Sequence, residues 1–363
     1  MGNEDSSASH RTGLPRAGLK LLRNRESPKT EPALEVLGYM DCLQMCLSLH
    51  GEKLSMPEIM GLSGEAFRFL FDRNDPQRGV KVLAHNPVRA TCSALGRACR
   101  ITGHEKMSEA RKALDRELEA SGAAMLHLAQ DWAVVRPDHR PAFYQVWLPS
   151  PPGQASRQTA WQAEKLCENW VGEPGFLELG LQGYYCCAVG EREFEPDRKA
   201  AALGSIRRGL RLLTRRTKLS RCSAGLAAYA DLMALLARKP RADEQAALDM
   251  ERYSSWISGP VRYAVSSRRA AAQFLEALES LLVEEAHEPL FKAAQHFRNA
   301  SDLMEQLPAA PDTSEQGHRK ALRQFARVRR RALKGLRQAW KEEGKAVDAL
   351  WKVIEAEETK KQR

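Results

Sequence analysis

Cys42 follows an aspartate in the stretch GYMDCLQMCLSLHG, Gly38 to Gly51, at what reads as the first turn of a short helix. A thiol in that place can act as a nucleophile, because unpaired N–H groups and the helix dipole favour the thiolate. Asp41 beside it works in the opposite direction, since a neighbouring negative charge disfavours a thiolate. Acyl or amide chemistry at a cysteine also needs a base, a group that orients the base, and donors for the oxyanion. His127 lies four residues before Asp131, so on a strand the two point to the same side. His139 stands in a turn further on. Cys46, one turn along the helix from Cys42, faces the same side and reads as core. Cys42 itself has two readings, a nucleophile or a small apolar residue inside a core.

These residues need elements to hold them. Asp41 to His50 reads as a helix, with Asp41 as N-cap, Leu43, Cys46, Leu47 and Leu49 as its apolar side, and Gly51 as the stop. A second short helix, Met56 to Met60, is entered through Ser55 as cap and Pro57 in the first turn. GLSGEAF lacks the Gly-Lys-Ser/Thr ending of a phosphate loop, so it reads as a tight turn before Phe67. Pro87 to Arg100 and Ser108 to Ser121 read as helices, the second with Ser108 as cap and Ala110, Leu114 and Leu118 inward. AAMLHLA, DWAVVRP, AFYQVWLP and GYYCCAVG are short apolar or alternating runs bounded by Pro, Gly and Asp, which are strand signals. The adjacent Cys186 and Cys187 point to opposite faces of the last of these. Helices followed by strands argue an α+β fold.

From Asp197 the pattern is helical to the end. Leu203, Ile206, Leu210 and Leu213 form one stripe. Ser258-Gly259-Pro260 reads as a break, and Val261 to Ala286 as one long helix. Leu333, Leu336, Trp340, Val347, Leu350 and Ile354 form a near-heptad seam on the last helix. The expected organisation is a disordered arm over 1–31, an α+β domain over 32–198, a helical bundle over 199–308, a linker over 309–318 and a long basic helix over 319–363.

The chain has 363 residues and a formal net charge of +10. No run approaches the ~20 apolar residues of a membrane span, and the start lacks a signal-peptide core, so a cytoplasmic protein is expected. The eight cysteines show no zinc spacing and read mostly as reduced, buried small hydrophobes. No cofactor or metal is expected. The charge is concentrated: Ser205 to Arg221 holds seven basic residues and Arg319 to Lys341 holds ten, both without an acid. Amphipathic helices put such charge on a solvated face. The same faces suit an acidic protein, nucleic acid or an anionic membrane surface. Sequence-specific nucleic-acid motifs are absent.

The segment GYMDCLQMCLSLHGEKLSMPEIMGLSGEAFRFLFDRND resembles the papain-like domain of the butirosin biosynthesis protein H family, which is related to the C39-like peptidases. DWAVVRPD, Asp131 to Asp138, sits where that family carries a strand before a turn. GLAAYADLMALL is similar to the segment that opens its C-terminal helical region. The similarity covers most of Pro32 to Leu307, and GLSGEAFRF is its one specific motif. The resemblance implies a papain-like domain followed by an all-α domain. It implies acyl transfer from a carrier-protein thioester to an amine, or amide and thioester cleavage, with Cys42 as nucleophile. An acidic carrier protein, a small molecule or a peptide would be the partner. In the family the base is a histidine, and the matching position here is Asp131. His127 or His139 would have to substitute. No acid follows one strand later, in YQVWLPSP, and no Gln lies between Pro32 and Asp41 to build the oxyanion hole. The resemblance places Ser63 and Arg68 near the cleft as candidate ligand contacts, and Asp41 and Trp132 are further candidates. An eroded catalytic set leaves a second expectation open, a non-catalytic binding module that kept the cleft. A basic binder of polyanions or membrane surfaces is the third.

Overall fold

The first helix starts earlier than its aspartate suggests. In the computed structural model, which describes residues 38–75, 78–81, 86–128, 132–149, 157–171, 183–219, 221–238, 243–311 and 318–362, helix α1 runs Gly38–Leu49. Asp41 therefore lies inside the first turn rather than capping it. Helix α2, Met56–Ser63, is entered as expected through Ser55, and Pro57 sits in its first turn. Glu58 completes a capping box: the Ser55 hydroxyl accepts from the Glu58 N–H at 3.4 Å, and Glu58 Oε2 accepts from the Ser55 N–H at 2.7 Å. Two orphan N–H groups are satisfied at once. Ser55→Ala is expected to cost about 1 kcal/mol in urea unfolding. A loss under about 0.3 kcal/mol would show that the cap is idle. Gly64 closes α2 in the left-handed region, φ +86°, which a side chain adopts only under strain.

A 3-10 turn, Glu65–Phe67, leads to strand β1, Leu70–Phe71, and helix α3, Arg78–Lys81. Pro87 to Arg100 is not one helix. Helix α4 spans Pro87–Ala94, capped by Asn86, and the chain reverses through Gly96 at φ +66° into strand β2, Arg97–His104. Helix α5, Met107–Ser121, starts one residue before Ser108, with Lys106 at the cap position and no side-chain cap. Ala110, Leu114 and Leu118 are buried as their spacing predicts.

Further elements complete the sheet. They are strands β3 (Ala124–His127), β4 (Trp132–Pro137), β5 (Phe143–Leu148) and β6 (Arg157–Gln162), helix α6 (Ala163–Asn169), and strand β7 (Tyr184–Arg192). The order is β2-β7-β3-β4-β5-β6 and all pairs are antiparallel. One face carries Leu126, Ala133, Val135, Val146 and Cys186 against Leu114 and Leu118 of α5 and Leu166 of α6. Helix α1 packs against β4. Cys186 and Cys187 do face opposite ways, and both are buried.

The helical part holds α7 (Arg198–Leu213), strand β8 (Ser223–Ala224), α8 (Gly225–Ala237), α9 (Asp243–Trp256), α10 (Arg262–Ala277), α11 (Glu284–Glu305) and α12 (His318–Gln362). The α7 stripe is buried as expected. Ser258-Gly259-Pro260 does not break the chain. It forms a π turn, Ile257–Val261, that carries α9 into α10; a wider turn absorbs the carbonyl that proline leaves unbonded. The expected long helix to Ala286 instead ends at Ala277, with a 3-10 turn at Glu279–Leu281 before α11. On α12, about 68 Å long at 1.5 Å per residue, Leu336, Val347, Leu350 and Ile354 keep the seam, but Trp340 is 39% exposed. Ala339 and Glu343 hold the buried positions there instead.

The two parts share structure. Strand β1 pairs with β8, with Leu70 opposite Ala224 and Phe71 opposite Ser223. Phe69 and Phe71 sit in one core cluster with Tyr229, Tyr253, Trp256 and Leu336. None of the described helices is long and apolar enough to cross a membrane.

Candidate functional site

Seven residues of α1 are buried: Tyr39, Met40, Cys42, Leu43, Met45, Cys46 and Leu47. Cys42 is fully covered, at 0% exposure. It is the fifth residue of the helix, past the turn in which the dipole acts strongly on a thiol. Cys46 is core, and burial pushes its thiol up to about 12 against the pull of Arg136.

Trp132 is the hub of the region. Its ring lies 5.5 Å from Tyr39, 5.4 Å from His127 and 6.0 Å from Tyr185, the last two edge-on. His127 and Trp132 are direct cross-strand partners on β3 and β4, so the imidazole and the indole share a face. Tyr39 precedes Cys42 by one helical turn, which brings the cysteine helix onto the same indole. The structure thus gathers Cys42, His127 and Trp132 into one part of the fold. Asp131 lies outside the described residues. His139 is elsewhere: 82% of its side chain is exposed, and it pairs with Asp138 at 3.0 Å. Asp41 is half-buried in the first turn of α1.

Ser63 and Arg68 are both at 0% exposure. The Ser63 hydroxyl donates to the Met60 carbonyl at 3.0 Å and accepts from the Glu65 N–H at 3.3 Å. Arg68 is ion-paired with Glu65, donates to the carbonyls of Gly79 and Val80, and stacks 4.3 Å above the Tyr263 ring. Tyr263 in turn donates to Glu65 at 2.9 Å. A ligand at either residue would have to displace these internal contacts, and unpairing a buried charge is costly.

Sequence reasoning misses two members of the cluster. Tyr39 is legible in principle, since it sits three residues before Cys42. Tyr185 is not, because only the strand order brings β7 beside β3. The Tyr39 phenol is buried, and burial first, then the Glu65 charge, raises its pKa well above the ordinary value. Burial likewise raises that of Tyr185, whose oxygen accepts from the Cys187 thiol at 3.4 Å. The arrangement is an aromatic box around the Trp132 indole, with the half-buried His127 on its rim and the thiol on the helix that packs against it.

No family model and no curated protein matches the chain.

Proposed function

We propose that this chain is a non-catalytic binding module on a papain-like scaffold of the butirosin biosynthesis protein H type, working in the cytoplasm with an acidic protein as partner. The observation that carries this reading is the complete burial of Cys42. A nucleophile has to come within about 3–3.5 Å of an acyl carbon, and a covered thiol offers no such approach. Cys42 then serves as a small apolar residue under the aromatic box. Exposed cations on α12, such as Arg323, Arg327, Arg331 and Arg337, supply a face for the partner.

A second reading, a cysteine-dependent acyltransferase or amide hydrolase, draws on one observation. Trp132 links the Cys42 helix to His127 through ring contacts of 5.5 and 5.4 Å. Iodoacetamide labelling of the native chain at neutral pH, read by mass spectrometry, separates the two. Cys99 should label first: it is half-buried, and a hydrogen bond from Cys92 lowers its pKa, with the Arg89 charge adding to this. Cys167 should follow, and Cys42 should lag Cys99 by at least about tenfold, as thiolate fraction and access dictate. Labelling of Cys42 ahead of both would overturn the binding reading in favour of catalysis.

A further inference from the structure

The short β1–β8 ribbon borders a surface cleft of about 510 Å³. Its walls come from the turn after β1, the loop before β8 and the outer side of α8. Phe71 and Leu235 supply apolar lining. Four cations line the same space: Arg73, Lys218, Arg221 and Arg238, each at an exposed position. Among the described residues none of the four forms an ion pair. The two carboxylates of the cleft are engaged. Asp72 faces Arg78 at 3.4 Å and accepts from the Asn74 N–H at 2.8 Å. Asp231 takes a hydrogen bond from the Ser223 hydroxyl. Four cations against two occupied carboxylates leave the cleft with an excess of two positive charges.

Arg221 is held at the cleft by the backbone. It sits in the tight turn that Leu219 and Cys222 close with two backbone hydrogen bonds of 2.7 Å, and its φ of +73° is the left-handed conformation such turns use.

We propose that this cleft binds a phosphorylated small molecule of about nucleotide size. Its phosphates are held by Arg73, Lys218, Arg221 and Arg238, and its apolar body rests on Phe71 and Leu235. The volume falls in the usual range for small-molecule sites, about 300–1,000 Å³. Three guanidinium forks match phosphate oxygens in pairs, and the lysine adds a point charge. The site is separate from the Cys42 box and does not depend on whether that box is catalytic.

Isothermal titration of the full chain with ADP and with inorganic pyrophosphate, in low salt, tests it. Wild-type chain should bind both probes. The triple variant Arg73→Gln, Arg221→Gln, Arg238→Gln should lose at least tenfold in affinity. Ala234→Trp, at an exposed lining position of α8, fills the cleft without changing its charge and should weaken ADP by a similar factor. It also serves if the triple variant does not fold. A control triple on α12, Arg330→Gln, Arg331→Gln, Arg337→Gln, should bind as wild type. Absence of binding by either probe, an equal loss in the α12 control, or unchanged ADP affinity in Ala234→Trp would overturn the proposal.

Discussion

Arg268→Met is expected to destabilise the fold by about 3–5 kcal/mol, the usual cost of stranding one partner of a buried ion pair. Arg268 of α10 and Glu343 of α12 are both at 0% exposure. Arg268 Nε donates to Glu343 Oε2 at 2.9 Å, and the Tyr229 phenol of α8 donates to the same oxygen at 2.8 Å. Arg268 Nη1 also donates to the carbonyls of Ala66 and Arg68, at 3.2 and 3.1 Å. One guanidinium therefore ties α10 to α12 and to the turn that leads into β1. Removing it leaves a carboxylate in a dry interior with only a phenol for company. Replacing both partners, Arg268→Met with Glu343→Leu, removes the charges together and should recover much of the loss, because the desolvation penalty disappears with them. The Ala66 and Arg68 carbonyls and the Tyr229 hydroxyl stay under-bonded, so recovery will be incomplete. Urea unfolding of the two variants decides the matter. A loss under about 1 kcal/mol in Arg268→Met would mean that water reaches the pair.

The second large effect has the opposite origin, too little space. Gly61 lies in α2 where α10 crosses it, and a Cβ placed there would stand 2.1 Å from Cγ of Phe274. Alanine is about 1 kcal/mol better than glycine in a helix interior. Forcing an extra carbon into a packed core costs about 1–3 kcal/mol, and a contact this close, against a ring at 2% exposure, belongs at the upper end. Gly61→Ala should therefore destabilise, by about 2 kcal/mol once both terms are counted. At Gly344 of α12 an added Cβ would meet nothing within 4 Å, so Gly344→Ala should stabilise by up to about 1 kcal/mol. The same substitution thus changes sign between two helices. Thermal unfolding of both variants reads it directly, and a stabilised Gly61→Ala would show that α2 and α10 can move apart to admit the methyl group.

Both predictions rest on contacts that sequence spacing could not supply. Glu343 falls on the seam of α12, where periodicity alone assigns an apolar residue; its partner stands 75 positions away. Trp340 has the type of a seam residue, yet Ala339 is buried and Trp340 is not. A small shift in helix phase exchanges them, and the packing of α11 and α8 sets that phase. Arg68 is similar. The family resemblance implied a ligand contact there, and the tertiary fold surrounds it with Glu65 and Tyr263.

What the sequence determined by itself was local. Ser55 with Pro57 opens a helix, short apolar or alternating runs make β3, β4, β5 and β7, and the leucine stripe buries one side of α7. Each follows from caps and periodicity, which act over a few residues. Strand β2 was hidden because its residues are mostly half-buried, without clean alternation, and edge strand β6 because it is largely exposed. The α+β class followed from the order of the elements. Only the tertiary structure decided whether Cys42 can be reached, which arginines are paired, and where a cleft opens. Burial and charge pairing are set by residues far apart in the chain, and a helix that could present a thiol to substrate reads the same in sequence as one that buries it.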